Sequence, residues 1–152
     1  MCEDGSRLTD KLVLPLLLEK IMQPGDCTLL RYQADTGHVD SGYSILLLAD
    51  LPAGQPLFVT DNGIANDGQT IMSNYGDGTA SHIPDADVPA GTVLDSSLFA
   101  TADGLDPIEL SNKDQLLVYT GSTTFLCALD WSGKYWLPGN SNSRSDSLIP
   151  PG

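Results

Sequence analysis

Positive charge is scarce in this chain. Seven Lys and Arg stand against twenty Asp and Glu in 152 residues, a formal net charge of −13, and a field of that sign repels nucleic-acid phosphates and anionic membrane surfaces. No nucleic-acid partner is expected. Cationic partners and metal ions are compatible with the charge, as is the solubility of an exposed β protein whose edges must not stick together. Cysteine is also sparse: Cys2, Cys27 and Cys127 are an odd number without metal-type spacing. Cys127 sits in the apolar run Thr124-Phe125-Leu126-Cys127-Ala128-Leu129, where a reduced thiol behaves as a small hydrophobe. A Cys27–Cys127 disulfide is the alternative, although nothing else resembles a disulfide-stapled scaffold.

Long hydrophobic runs are missing as well. No stretch approaches the roughly twenty apolar residues that span a bilayer, so no membrane span is expected. Met1-Cys2-Glu3-Asp4-Gly5 has no basic region ahead of an apolar one, which is unlike a signal peptide, and no Asn-x-Ser/Thr sequon occurs. Catalytic motifs are absent too. The two histidines, His38 and His82, lie in polar loops near Asp40 and Asp85, with no nucleophile motif and no third partner. Ser41-Gly42 and Gly121-Ser122 lack the Gly-x-Ser-x-Gly context of a nucleophile elbow. Gly76-Asp77-Gly78 places an acid where a phosphate loop needs amides and a cation. No enzymatic activity is expected.

What the chain does contain is a phrase used twice: Ala49-Asp50-Leu51-Pro52-Ala53-Gly54 and Ala86-Asp87-Val88-Pro89-Ala90-Gly91. Proline presets φ for the second position of a turn and glycine accepts the left-handed conformation that closes it, so each copy reads as a turn between strands. Strands are expected over 26–33, 43–48, 56–60, 92–98, 115–120 and 125–130, the last two forming a hairpin across Gly121-Ser122-Thr123. Residues 61–87 read as a glycine-rich excursion with one short strand near 70–74, and the tail 138–152 as irregular. At this length one domain is expected, an all-β antiparallel β-sandwich over 25–152. An apolar N-terminal arm, 1–24, precedes it. The arm carries Leu12, Val13, Leu14, Leu16, Leu17, Leu18 and Ile21. Pro15 interrupts the run, so a continuous helix is not expected, and such a segment must bury itself on its own sandwich or on a neighbouring molecule.

The ordered blocks Tyr43–Gly54, Leu57–Gly63, Val88–Val93, Lys113–Gly121 and Thr124–Leu129 resemble a lamin-tail-like β-sandwich module, over about residues 25–152. The resemblance implies a non-catalytic adhesion, packing or assembly unit, in a secreted or organellar setting. Two departures stand out: Ile64 follows Asp61-Asn62-Gly63 where the pattern usually has an aromatic, and the pattern normally continues past Leu148-Ile149-Pro150-Pro151-Gly152. A missing last strand leaves an edge to be filled, and the arm is the segment available for it.

Two clusters are compatible with a ligand. Asp61, Asn62, Asn66 and Asp67 ahead of Gly68 place oxygen donors on a flexible loop, as Ca²⁺ prefers. The spacing departs from the helix-loop-helix calcium template, and turn chemistry explains the same residues. Trp131, Tyr135 and Trp136 are the aromatic cluster, fit to stack on a carbohydrate if exposed, or to close the core or a subunit interface if buried. The leading expectation is a structural protein that self-associates into an oligomer, filament or shell-like coat through the arm and the sheet edges. The alternative is a carbohydrate-binding or calcium-dependent adhesion module.

Overall fold

The computed structural model describes residues 21–33, 42–65, 67–72, 77–102, 107–110, 114–121 and 124–131. Among the described residues eight strands form two antiparallel sheets: β1 (Cys27–Gln33), β2 (Gly42–Leu47), β3 (Leu57–Thr60), β4 (Thr79–His82), β5 (Val93–Asp95), β6 (Ala100–Thr101), β7 (Gln115–Thr120) and β8 (Thr124–Asp130). The smaller sheet runs β1-β2-β5 and the larger β6-β4-β3-β7-β8. This is the all-β sandwich expected from the sequence. No helix among the described residues is long and apolar enough to cross a membrane.

Alternation in β2 explains the packing. Tyr43, Ile45 and Leu47 point inward and are buried, as a period of two requires, and they meet Leu57, Val59, Leu116, Val118 and Leu126 of the other sheet in one core. Strand β7 is buried at all six positions. Leu116 and Val118 serve the central core, while Leu117 and Tyr119 on the opposite face join Phe125 and Ile64 in a second cluster. That outer cluster is roofed by the excursion after β3, which folds back as a small ladder: Ile64 bridges Ile71, Ala65 donates to Thr70 O at 2.8 Å and Met72 to Gly63 O at 2.8 Å.

Three local expectations are revised. Residues 92–98 are not one strand: Asp95 accepts from Ser97 N at 3.1 Å and caps a single 3-10 turn over Ser96–Leu98, because a short acceptor at an N-cap satisfies amides that a strand would pair laterally. Strands β4 and β6 carry few bulky apolar residues and no sequence signal. They form because β3 offers β4 a full register, Leu57↔His82 through Thr60↔Thr79, and β4 in turn pairs with β6. Proline also stands one place earlier in the repeated turn than expected. Gln55 N donates to Pro52 O (3.1 Å) and Thr92 N to Pro89 O (3.2 Å), so proline opens each turn and alanine takes the second position. Glycine occupies the third, with φ +75° at Gly54 and +86° at Gly91, as a type II turn demands.

Candidate functional site

Neither copy of the repeat folds its flanking strands into a hairpin; the first carries the chain from β2 in one sheet to β3 in the other. The two copies clasp each other instead. Leu51 and Val88 exchange both backbone bonds at 2.8 Å. Asp50 Oδ1 accepts from Ala90 N (2.9 Å) and Asp87 Oδ1 from Ala53 N (2.8 Å), so each aspartate caps the other copy's turn. Gly54 N donates to Pro84 O (2.7 Å) and Gly91 N to Leu47 O (2.8 Å), positions that also correspond between the copies. The result is a local two-fold arrangement inside one chain. Beside it opens a groove of about 650 Å³, lined by Ile21, Pro52, Gln55, Pro56, Thr120 and Thr124 among others. Of the seven apolar residues named for the arm, Ile21 alone lies within the described part of the chain, and it is exposed at this groove; Leu12, Val13, Leu14, Leu16, Leu17 and Leu18 lie outside the described residues. The next residue, Met22, is buried in the central core.

The loop acids are engaged in local structure. The Asp61 carboxylate accepts from Gly78 N and from Glu109 N (3.0 Å). Asn62 Nδ2 donates to Thr60 Oγ1 (2.9 Å) and Gly78 O (3.1 Å). This network ties the end of β3 to the start of β4. Burial pushes the Asp61 carboxyl up to about 7 against the pull of its two backbone donors, and the Asp114 and Asp77 charges act with burial. Asp67 serves a separate turn: it accepts from Gln69 N (2.9 Å), Thr70 N (2.8 Å) and Thr70 Oγ1, and these bonds hold its carboxyl down at about 2. Asn66 lies outside the described residues. Among the described residues no three His, Cys, Asp or Glu side chains gather where they could hold a metal.

Trp131 stacks face to face on Tyr32, with ring centroids 3.9 Å apart and planes 14° from parallel. It also packs on the central core, and its amide donates to Asp114 O at 2.9 Å. One face of the indole is thus already occupied. Its expected companions Tyr135 and Trp136 lie outside the described residues. Tyr32 was not visible as a partner because only the meeting of β1 and β8 brings it near. His82 Nδ1 lies 3.2 Å from Leu98 O and its ring leans on Phe99; His38 lies outside the described residues.

The outer face of the three-stranded sheet differs from its counterpart. Leu30, Leu48 and Val93 are 54%, 54% and 49% exposed, and half-buried Leu46 lies opposite Val93. Leu30 stands at a bulge, unopposed between Leu29↔Ile45 and Arg31↔Ser44. A sequence signal for this face existed in Ile45-Leu46-Leu47-Leu48, apolar at consecutive positions, since a strand with one solvated face alternates.

No family model matches the chain, and neither the curated proteins nor the solved structures compared with it include a match.

Proposed function

We propose that this protein is a non-catalytic structural unit that self-associates into an oligomer, filament or shell-like coat, and that it is a lamin-tail-like module. The observation that carries the reading is the contrast between the two outer faces. The five-stranded sheet is roofed by its own 63–72 ladder, whereas the three-stranded sheet presents Leu30, Leu48 and Val93 to solvent among the described residues. An apolar surface of this kind marks an interaction site, and the Leu-rich arm supplies an apolar segment in need of one. Sheet edges are secondary contributors: β5 and β6 are three and two residues long, and edges that short make poor templates for pairing. The longer edges β1 and β8 adjoin each other, with Gly25 N bonded to Leu126 O at 2.8 Å.

The occupant of the exposed face is a second copy of this chain, delivered through its arm. Light scattering of the purified protein, followed by negative-stain imaging, tests this directly. Regular large particles that are lost on polar substitution of Leu14, Leu16 and Leu18, with the sandwich still folded, support the proposal; a 16.1 kDa monomer at all concentrations refutes it. In that event screens for glycans and for Ca²⁺-dependent stabilisation address the adhesion alternative, because a ligand that binds only the native state raises its melting temperature.

A further inference from the structure

Cys27 opens β1 at one edge of the three-stranded sheet, and Cys127 lies within β8 at an edge of the five-stranded sheet. Both are free thiols, yet their Sγ atoms stand 2.8 Å apart. That is closer than ordinary van der Waals contact of two sulfurs, and a movement of under about 1 Å reaches bonding distance. Backbone geometry sets the approach. Gln23-Pro24-Gly25-Asp26 forms a tight turn, with Asp26 N donating to Gln23 O at 3.0 Å and φ +90° at Gly25. From that turn Gly25 N reaches Leu126 O, the residue before Cys127, while Asp26 O accepts from Leu48 N (2.7 Å) and Ala49 N (3.2 Å). The backbone on either side of the sulfur pair is thereby anchored to both sheets.

We propose that Cys27 and Cys127 form a reversible cross-sheet disulfide that locks the two sheets together along their β1/β8 side. The residues divide the chemistry by accessibility. Cys127 is half-buried and Cys27 buried, so Cys127 meets the oxidant, a small disulfide such as glutathione disulfide. Its thiolate attacks one glutathione sulfur, the other glutathione leaves as thiolate, and a mixed disulfide forms at Cys127. Cys27 then loses its proton to solvent and attacks the Cys127 Sγ, expelling the second glutathione thiolate. Two protein thiols are oxidised to one disulfide, and one glutathione disulfide is reduced to two glutathiones. The hydrogen bond to Cys127, then burial, raise the Cys27 thiol well above its ordinary value, so Cys27 stays protonated beside the free Cys127 thiol and does not begin the exchange. The cysteines are 100 positions apart, and closing so long a loop removes much conformational freedom from the unfolded chain.

The test uses the full chain carrying Cys2→Ser, which removes the remaining thiol. The protein is equilibrated across glutathione redox ratios, quenched, alkylated with iodoacetamide and mapped by mass spectrometry, and its melting temperature is read with and without reductant. The expected result is joint protection of both cysteines, a linked Cys27–Cys127 peptide, and a melting temperature higher by about 10 °C or more in the oxidised form. Reductant reverses the rise, and Cys27→Ala or Cys127→Ala abolishes it. Alkylation of both thiols at every ratio overturns the proposal, as does a glutathione adduct that persists on Cys127. A disulfide that forms without moving the melting temperature overturns the locking role. Because the reduced protein is its own folded reference, a poorly folding single variant leaves these outcomes readable.

Discussion

Asp61 holds two backbone amides, of Gly78 and Glu109, from a site that is 1% exposed. Its carboxyl titrates near 7 in the folded protein against an ordinary value of 3.8. The folded state therefore retains a proton that the unfolded state releases, and stability declines as pH rises from about 4 to about 7. Asp67 acts with the opposite sign: held at about 2, it contributes stability above its ordinary value that is lost as pH falls from about 4 towards 2. Urea unfolding at a series of pH values should show maximal stability near pH 4 and a falling limb above it. Asp61→Asn should flatten that limb, at a cost of about 1–3 kcal/mol near pH 4, because its amide cannot accept from both backbone donors. An unchanged slope in the variant would assign the pH dependence to other groups.

The clasp is an element-scale device. Its aspartates and glycines recur at the same places in both copies, and each copy supplies the other's cap. Asp50→Ala and Asp87→Ala should each cost about 1 kcal/mol. The double variant should depart from additivity, since both bonds hold the same pair of turns. Gly54→Ala and Gly91→Ala should cost about 1–2 kcal/mol each. The penalty is conformational: both glycines have positive φ, and an added Cβ meets nothing within 4 Å. Asn at either position, which tolerates left-handed backbone better, should recover part of the loss. Chemical denaturation with an unchanged m-value is the readout.

At the scale of the whole molecule the two sheets share one core but present different exteriors. Leu48→Lys and Val93→Lys alter residues about half exposed, so the fold should change in stability by no more than about 0.5 kcal/mol each. If the three-stranded face is the association surface, the pair should reduce any assembled fraction at least tenfold by light scattering while circular dichroism stays the same. In contrast, Leu116→Ala in β7 should cost about 2–5 kcal/mol, since that side chain is fully buried in the core between the sheets. Assembly lost with the fold in that variant, and lost without it in the surface pair, separates the roles of core and face.

The fold class was legible in the sequence because its signals are local. Period-two burial in Tyr43–Leu47, the apolar runs of 115–120 and 125–130, and left-handed glycines at 54 and 91 each follow from the chemistry of a few adjacent residues. The strands Thr79–His82 and Ala100–Thr101 were not legible, because neighbouring strands rather than their own side chains create them. Much of the candidate chemistry was hidden for the same reason. The chain names Asp50 and Asp87, and Tyr32 and Trp131, without pairing them, and offers a Cys27–Cys127 pair only as an alternative to two reduced thiols. In the 61–72 loop the sequence shows oxygen donors, and only the fold shows that its Ile64 and Ile71 pair and pack over Leu117, Tyr119 and Phe125 of the larger sheet. The sequence alone determined an acidic all-β domain with two equivalent turns, because composition and turn chemistry act over a few residues. Tertiary structure decided that those turns clasp each other, that the two cysteines meet, and that one sheet carries the Ile64/Ile71 ladder on its outer cluster while the other shows leucine and valine. Such contacts join residues tens of positions apart and arise only when the sheets close on each other.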